Sequence, residues 1–320
     1  MSDRPIGIGL LGLGTVGSAV GRAFAGRSRR IDAAAGRPLK LVAAAVRDPR
    51  KPREAGDVPV TADPHAILDD PEVAIVVEVI GGTDPAGELV HGALESGKHV
   101  VTANKELVAK EWNALHESAR HARRDLRFEA AVAAAVPVVA GMRGLGAVRP
   151  RVLRGLLNGT TTYICSRMET GKSFEEALAE AMAAGYAEPD PTNDVDGHDA
   201  AYKLAILISI LEGRHYHPDN VRRTSLRGVD AGGFAAATAR DARVRFLAVA
   251  DFGDRATKAR VGPEEVPAAS LEGQATGPTN VITLESDLAG RLVWTGPGAG
   301  GDATASAILG DVIAIARARP

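Results

Sequence analysis

The feature that most constrains this chain is a short apolar run that leads directly into a glycine-rich segment. Ile6 to Leu11 contains only apolar residues and glycine, and Gly12-Leu13-Gly14-Thr15-Val16-Gly17 follows it. This segment has the spacing G-x-G-x-x-G, and Val16 to Ala25 after it has the pattern of an amphipathic helix. A strand, a glycine turn and a helix in this order predict the first βαβ unit of a dinucleotide-binding fold.

Each glycine of this segment has its own predicted task. Gly12 allows the tight turn, Gly14 lets the backbone approach a pyrophosphate, and Gly17 permits close packing of the helix on the strand. The first turn of the helix offers N–H donors and the positive end of its dipole to an anion. A tight βα turn without a ligand would show the same glycines, but the flanking strand and helix favour the dinucleotide site.

The first third of the chain alternates further apolar runs with amphipathic stretches. Such alternation predicts an α/β fold of the Rossmann type, with a doubly wound parallel sheet covered on both faces. The predicted strands are Leu39 to Val46, Ala74 to Ile80 and His99 to Thr102. Pro85 to Ser96, with Asp84 as its N-cap, and Glu111 to Arg123 are predicted as covering helices.

After about residue 130 the pattern changes to longer helical stretches, which predicts a second, α+β domain. Ser173 and Glu176 form a capping box at the start of the helix Ser173 to Ala184, and Gly197 to Glu212 is a further helix. The order of Gly228 to Gly277 is not assignable from the pattern. We predict a dinucleotide-binding domain of residues 1–130, completed by a return helix within 296–320, and a substrate-binding, catalytic and dimerisation domain of residues 131–295.

Charge and cysteine usage exclude several classes of partner. The formal net charge is −2, which provides no electrostatic attraction to nucleic acid or to an anionic membrane. No apolar run reaches the length of a membrane span, and no N-terminal pattern resembles an export signal. The single cysteine, Cys165, suits a reducing compartment. We therefore expect a cytoplasmic enzyme whose partner is a small molecule.

The residues after the second predicted strand bear on the choice of cofactor. Asp32, at the usual distance for a ribose-binding acid, is predicted to lie in an Arg-rich connection before that strand. Arg47 stands at the strand's end and is followed by Asp48, Arg50 and Lys51. Cations at this position favour the 2′-phosphate of NADP over NAD. A solvated loop in which Asp48 accepts from a ribose hydroxyl is the alternative.

Two lysines are candidates for carbonyl chemistry. A carbonyl that accepts hydride needs a proton donor, and a lysine ammonium can supply the proton or stabilise the charge. Lys105 follows Thr102-Ala103-Asn104 at the end of a strand, where ligands bind in such folds. Lys203 lies four residues after Asp199, so the two side chains share one face of a helix. Ordinary surface charges are the alternative for both.

The segment that precedes Asp199 is rich in carboxylates. Between Gly185 and Gly197 it contains Glu188, Asp190, Asp194 and Asp196, a crowding that suits the binding of an ammonium group. An EF-hand is excluded, because its bidentate glutamate would fall on Lys203. An acidic surface loop that caps a helix is the remaining alternative.

A further candidate segment is Asn158-Gly159-Thr160-Thr161-Thr162. Its amide and hydroxyl donors precede a helical run, so they could hold a substrate carboxylate. The same residues are also ordinary N-cap and turn chemistry, and both interpretations stay open.

Taken together, these segments resemble the homoserine dehydrogenase family. The resemblance spans nearly the whole chain, and its specificity comes from the order and spacing of the motifs. It is carried by Gly12 to Gly17, Thr102 to Lys105, Asn158 to Thr161, Gly185 to Asp190 with Gly197-His198-Asp199 and Lys203-Leu204, and Gly298-Ala299-Gly300-Gly301 with Thr304-Ala305-Ser306. It implies an NAD(P)-dependent reduction of L-aspartate 4-semialdehyde to L-homoserine, in the threonine and methionine branch of amino-acid biosynthesis, by a homodimer.

The resemblance also implies roles for individual residues. Lys203 corresponds to the proton donor, Asp199 to its partner, and Lys105 to the lysine near nicotinamide and substrate. The implied substrate-binding residues are Gly159, Thr160, Tyr186, Glu188, Asp194, Asp199 and Lys203. The implied cofactor-binding residues are Gly12, Gly14, Thr15, Val16, Gly17, Arg47, Thr83, Lys105 and Gly300.

The family carries a structural sodium site, which would fall on Glu129 and on the backbone of Val132, Ala134 and Val136. This chain has Ala133-Ala134-Ala135 where relatives often have glycines, so the carbonyl ligands survive only if no positive φ is needed. Asp302-Ala303 also replaces a proline that often precedes the Thr-Ala-Ser turn. Some relatives continue into a regulatory ACT domain, and the end of this sequence near Pro320 predicts a short form without it.

Two rival functions are weighed against this interpretation. A phosphorylating semialdehyde dehydrogenase needs a cysteine nucleophile, for which Cys165 is the sole candidate. It lies within the apolar helical run Tyr163 to Met168 and is predicted to be a buried packing thiol. A cofactor-binding sensor without turnover would not need Lys105, Asp199 and Lys203 together.

Overall fold

The computed structural model describes residues 4–318. The strands are β1 (Ile6–Leu11), β2 (Leu39–Ala45), β3 (Val60–Thr61), β4 (Val73–Glu78), β5 (His99–Thr102), β6 (Leu126–Arg127), β7 (Pro150–Leu156), β8 (Val221–Arg223), β9 (Ala242–Phe252), β10 (Thr257–Pro267), β11 (Thr279–Ser286) and β12 (Arg291–Pro297). The helices are α1 (Thr15–Ala35), α2 (His65–Leu68), α3 (Ala86–Glu95), α4 (Lys105–Lys110), α5 (Trp112–Ala122), α6 (Ala130–Ala133), α7 (Val138–Arg143), α8 (Gly159–Met168), α9 (Phe174–Ala183), α10 (Thr192–Val195), α11 (His198–Glu212), α12 (Ala231–Ala239), α13 (Leu271–Gln274) and α14 (Gly301–Ala318), with 3-10 turns at Pro218–Asn220 and Leu226–Gly228.

These elements form two compact units. Of the described residues, unit 1 contains 4–135 and 300–318, and unit 2 contains Val136–Ala299. Among the residues described, no helix has the combination of length and apolar character that a membrane span requires.

The sheet of unit 1 confirms the predicted Rossmann-type class. Within residues 4–318 it has six parallel strands in the order β3-β2-β1-β4-β5-β6. In this order the chain winds outward from β1 in one direction and from β4 in the other, and ligands bind at the carboxyl ends of the strands where the direction changes. Every residue of β1 is buried, as expected for a strand covered on both faces.

Packing of α14 against α1 joins the last described helix to the first βαβ unit. Ile308, Val312 and Ile315 of α14 are fully buried in the same apolar core as Leu10 and Val20. Burial of such side chains stabilises a fold by about 1.5–3 kcal/mol each. The return helix is therefore an integral part of unit 1.

Two local predictions in unit 1 are wrong. Asp32 lies inside α1, which continues past a break at Arg27 to Ala35, and its Oδ1 accepts a hydrogen bond from the Leu39 N–H at 2.9 Å. Gly26 and Ser28 flank the break, and glycine and serine are frequent at helix kinks. The N-cap of α3 is Pro85 instead of Asp84, because the helix begins only at Ala86, and the peptide bond between Asp84 and Pro85 is cis.

Unit 2 is built on a mixed sheet with the strand order β12-β11-β7-β9-β10-β8. The region Gly228 to Gly277, which the sequence pattern left unassigned, contains the long antiparallel pair β9 and β10. The helix predicted from Gly197 to Glu212 is confirmed as α11, and α9 begins with the predicted capping box of Ser173 and Glu176. In α11, Asp199 and Lys203 are both buried.

Candidate active site

The glycine turn after β1 has the geometry of an anion-binding loop. Gly12 has a φ of +105°, and a Cβ on it would lie 2.9 Å from the Val79 carbonyl oxygen. A Cβ on Gly17 would lie 2.3 Å from the Gly12 carbonyl oxygen, so helix and turn touch there. A Cβ on Gly14, by contrast, would meet no atom within 4 Å. Two of the glycines are thus needed for the fold, while Gly14 faces open space.

A second helix start lies beside this turn. Gly300 has a φ of +113° and precedes α14, and a Cβ on Gly301 would lie 3.0 Å from the carbonyl oxygen of Thr15. The N-termini of α1 and α14 therefore adjoin each other. Gly14, the N-cap of α1, has no side chain that could cap the helix. Two adjacent helix N-termini with open glycine backbone fit the pyrophosphate of a dinucleotide, through Gly14, Thr15, Val16 and Gly300.

The end of β2 presents a cluster of cations. Arg47 is exposed immediately after the buried Val46. The Arg50 side chain lies 3.1 Å from the Asp48 carboxylate, and this hydrogen bond holds the pKa of Asp48 below its ordinary value. Arg53 donates to the carbonyl oxygens of Asp48 and Lys51. Because Asp48 is engaged by Arg50, the charge facing solvent at this edge is mainly positive.

A buried glutamate, which the sequence did not single out, organises the ends of β4 and β5. Glu78 is fully buried, and its Oε1 accepts from the N–H groups of Ile80 at 2.7 Å and Gly81 at 3.2 Å. Its Oε2 accepts from the Thr102 hydroxyl, whose oxygen in turn accepts from the Asn104 N–H. One carboxylate thereby fixes two neighbouring loops.

These two loops carry the candidate residues Thr83 and Lys105. Asn104 is the N-cap of α4, accepts from the Leu107 N–H at 3.1 Å, and donates to the Gly82 carbonyl oxygen at 2.6 Å. Lys105 is half-buried at the first position of α4, and Thr83 is half-buried after the left-handed pair Gly81 and Gly82. The Glu78 and Asn104 hydrogen bonds place both loops at the carboxyl edge of the sheet.

In unit 2 the predicted pair of Asp199 and Lys203 exists and is buried. Lys203 Nζ lies 2.7 Å from Asp199 Oδ2, and the exposed fractions of their side chains are 11% and 8%. Lys203 Nζ also donates to the Leu157 carbonyl oxygen at 2.8 Å. An ammonium has three N–H donors. Among the described residues the third donor of Lys203 has no partner, so it is available to a substrate oxygen.

Asn158 connects this pair to a second carboxylate. Its Nδ2 donates to Asp194 Oδ1 at 2.6 Å and to Asp199 Oδ2 at 3.0 Å. Its Oδ1 accepts from the Thr161 N–H at 2.9 Å and so caps α8. The sequence placed Asn158 beside a possible carboxylate cradle, and the structure turns its amide toward two carboxylates of the protein itself.

The threonine hydroxyls of this segment donate hydrogen bonds within the fold. Thr161 and Thr162 are fully buried and donate to the Asn158 carbonyl oxygen at 3.0 Å each. The Thr160 hydroxyl donates to the Tyr186 carbonyl oxygen at 2.6 Å. The N-cap interpretation therefore holds for the hydroxyls. The backbone N–H groups of Gly159 and Thr160, in the first turn of α8, lie at the positive end of the helix dipole, which favours an anion such as a carboxylate.

The carboxylates of the acidic segment separate into two groups. Asp190 accepts from the Thr192 N–H, and Asp196 accepts from the Ser225 hydroxyl and lies 3.4 Å from Arg227. These two stabilise loops. Glu188 is exposed and, among residues 4–318, has no hydrogen-bond or ion-pair partner, and the ring of nearby Tyr186 packs at a tilt against Tyr163, with centroids 4.9 Å apart. Glu188 is thus an open anionic group beside an aromatic surface.

The implied sodium site would consist of one carboxylate and several backbone carbonyl oxygens. The described residues contain no group of three or more His, Cys, Asp or Glu side chains that could hold a metal ion. Glu129 is buried at the start of α6, and Ala134 after this helix has a φ of +47°. The loop therefore does need a positive φ, contrary to the condition set from the sequence, and alanine adopts it at a steric cost that glycine avoids. A carboxylate with backbone carbonyl oxygens fits a hard cation such as sodium.

Cys165 is buried, and its thiol is unreactive. It lies within α8 with no exposed surface, and burial raises the pKa of its thiol to about 12. A thiol in this state is a poor nucleophile. We expect Cys165→Ser to retain at least about half of the wild-type activity, because the serine hydroxyl can donate to the carbonyl oxygen one turn earlier in the helix. Steady-state kinetics of the variant check this expectation, and complete loss of activity with an unchanged Tm would restore the cysteine mechanism.

Comparisons with known proteins agree with this site. Residues 12–129 match the family model described as "Homoserine dehydrogenase, NAD binding domain", and residues 137–313 match the model described as "Homoserine dehydrogenase". Homoserine dehydrogenase of Corynebacterium glutamicum is 42% identical over 321 residues, covering 98% of this chain and 72% of the relative. The enzyme of Pseudomonas aeruginosa is 39% identical, with 98% and 73% covered.

Solved structures give the same picture. The crystal structure of a homoserine dehydrogenase from Thiobacillus denitrificans has a TM-score of 0.95 at 39% identity and covers 98% of this chain and 73% of that one. A hyperthermophilic archaeal homoserine dehydrogenase in complex with NADPH has a TM-score of 0.83 at 28% identity, with 99% of both chains covered. The likeness therefore extends over the parts of the chain that hold both candidate sites.

Proposed function

The chain belongs to the homoserine dehydrogenase family, and we propose that it catalyses the reversible, NADP-linked reduction of L-aspartate 4-semialdehyde to L-homoserine. The observation that carries this proposal is the buried Asp199 and Lys203 pair, whose ammonium keeps one N–H for a substrate. A bound reduced nicotinamide supplies the hydride for the carbonyl carbon. Lys203 gives a proton to the carbonyl oxygen and regains one from water, and in the reverse direction its neutral amine accepts the hydroxyl proton.

The other residues bind and orient in this proposal. Asp199 keeps the Lys203 ammonium in place, and Glu188 and Asp194 accept from the α-ammonium of the substrate. The N–H groups of Gly159 and Thr160 face its carboxylate, next to Tyr186. Lys105 stabilises charge near the reacting carbonyl. Gly12, Gly14, Thr15, Val16, Gly17, Thr83 and Gly300 form the cofactor site.

A sodium ion on Glu129 and the carbonyls of Val132, Ala134 and Val136 would be structural and takes no part in the proton transfer. Location in the cytosol, a homodimer, and a place in threonine and methionine synthesis are further proposals, which rest on the family resemblance.

The test is homoserine-dependent reduction of NADP and of NAD by the purified chain at alkaline pH. Homoserine should support reduction, whereas serine and threonine, which differ in the position of the hydroxyl, should not. Binding of NADPH without turnover of homoserine would favour the rival sensor function, and absence of both would refute the proposal.

The preference for NADP depends on the cations after β2. The archaeal enzyme solved with NADPH supports this choice by analogy. We expect Arg47→Ser to raise the KM for NADP about 10–100-fold and to leave the KM for NAD nearly unchanged, because a charge-assisted hydrogen bond to the 2′-phosphate is lost. Arg29→Ser, which removes an exposed arginine from α1, is the matched control. Equal increases in the KM values for NADP and NAD would show that Arg47 does not bind the 2′-phosphate.

A further inference from the structure

Asn158 contacts the Asp199 and Lys203 pair from a different part of the fold than α11, the helix that contains the pair. It is 5% exposed and lies between β7 and α8, whereas Asp199 and Lys203 are in α11. The orientation of its amide is defined, because Oδ1 accepts from the Thr161 N–H at 2.9 Å. Nδ2 must then point to the opposite side, where Asp194 and Asp199 lie.

The two N–H groups of this amide meet two carboxylates. Asp199 Oδ2 accepts from Asn158 at 3.0 Å and from Lys203 at 2.7 Å, so a neutral donor and a cation share one oxygen. Asp194 Oδ1 lies 2.6 Å from the same amide nitrogen. Like charges so close together disfavour the ionised form of both groups, and donors between them favour it. The amide therefore supports two ionised carboxylates without adding charge.

The residue before Asn158 completes the arrangement. The Leu157 carbonyl oxygen accepts from Lys203 Nζ at 2.8 Å, while Asn158 donates to Asp199. Two consecutive residues of one short connection thus hold both members of the pair. An aspartate and a lysine four residues apart on a helix can adopt many rotamers by themselves. Contacts from a second element are what select one geometry.

We propose that Asn158 is a positioning residue for the reaction: its amide keeps Asp199 ionised and oriented, and so aims the third N–H of Lys203 at the substrate oxygen. This inference rests on the proposed function. The Asn158 side chain has two roles in this proposal. Its Oδ1 caps α8, and its Nδ2 donates to Asp199 of the catalytic pair. Those roles can be tested apart.

Asn158→Asp and Asn158→Ser both keep an oxygen that can cap α8, since serine and aspartate are good N-cap residues. Both lose the donors to Asp194 and Asp199, and only Asn158→Asp adds a negative charge. We expect kcat for homoserine oxidation to fall at least about tenfold in Asn158→Ser, with KM for homoserine changed less than about threefold. The matched control is Asp230→Ser, at the exposed N-cap of α12.

The pH dependence of kcat/KM distinguishes the two roles, because loss of the α8 cap alone would not shift it. In oxidation Lys203 must be neutral to accept a proton, and an added carboxylate near it favours its charged form. The acidic limb of kcat/KM in Asn158→Asp should therefore move to higher pH by about one unit. Wild-type kcat and an unshifted limb in Asn158→Asp would overturn the proposal, as would a fall in Asn158→Ser that Asp230→Ser reproduces. If Asn158→Asp does not fold, Asn158→Ser decides alone through its kcat and KM.

A second measurement does not depend on activity. The ε-carbon resonance of Lys203, identified by its absence in Lys203→Arg, reports the titration of the amine by NMR. Its pKa should rise in Asn158→Asp relative to wild type, and an unchanged pKa would contradict the inference. If wild type lacks homoserine oxidation, the proposed function fails, and this titration still decides whether Asn158 controls the pair.

Discussion

Lys203→Ala is expected to lower kcat for homoserine oxidation by about 10²–10⁴, the range typical of a lost general acid or base. The reason is that Lys203 supplies the buried ammonium whose third N–H is assigned to the carbonyl oxygen. KM for NADP should stay close to that of wild type, because Lys203 is not among the residues assigned to the cofactor site. Steady-state kinetics with both substrates varied will measure the two effects separately.

Lys203→Arg is the second variant, because Lys203→Ala could lose activity simply by failing to fold. Lys203→Ala removes one partner of a buried ion pair, and a change of this kind destabilises a protein strongly. Arginine keeps the positive charge but does not give up a proton near neutral pH. It should therefore retain the fold and still lose most of the activity. Lys258→Ala, which removes an exposed lysine of β10, is the control. Wild-type rates in either Lys203 variant would exclude the proton transfer assigned to it.

Gly14→Ala and Gly17→Ala are expected to inactivate the protein by different routes. Gly14 has a φ of −79° and open space around its would-be Cβ, so Gly14→Ala should fold with a Tm within about 2 °C of wild type. A methyl group there occupies the approach of the pyrophosphate. The Kd for NADPH should therefore rise about 100-fold or more, as bound N–H donors are lost.

Gly17→Ala is a structural counterpart. Its Cβ would lie 2.3 Å from the Gly12 carbonyl oxygen, closer than any van der Waals contact. Helix α1 must then shift on β1, and overpacking of this kind costs about 1–3 kcal/mol. Calorimetry and NADPH titration of the two variants separate the effects. A destabilised Gly14→Ala that still binds NADPH tightly would contradict the assignment of the glycine turn.

Local signals in the sequence were sufficient for much of unit 1. The strand before Gly12 and the strand His99–Thr102 depend on neighbouring residues, and the structure confirms them, as it does the capping box at Ser173 in unit 2. The extent of α1 was missed because an arginine-rich stretch lacks an apolar pattern, although Asp32 closes the turn that follows it. Local patterns therefore fail where a polar helix depends on packing elsewhere.

The contacts of the candidate site were harder to predict, because they join distant parts of the chain. Glu78 meets Thr102 across 24 positions, and Asn158 meets Asp199 across 41. Neither glutamate nor asparagine has a periodicity that indicates a buried partner. The long β9 and β10 pair was also difficult to predict, because β9 follows the alanine-rich helix α12 and Gly262-Pro263 within β10 is typical of a turn. Only the spacing of Asp199 and Lys203 allowed a direct prediction of contact.

The central claim is that this chain reduces aspartate 4-semialdehyde by direct hydride transfer with protonation by Lys203. It is tested most directly by incubation with the semialdehyde and each of the two forms of NADPH that carry deuterium at C4 of the nicotinamide, followed by mass spectrometry of the product. One of the two forms should give homoserine with a single carbon-bound deuterium, and Lys203→Arg should give almost none. Homoserine without deuterium from either form, or no homoserine at all, would contradict the account.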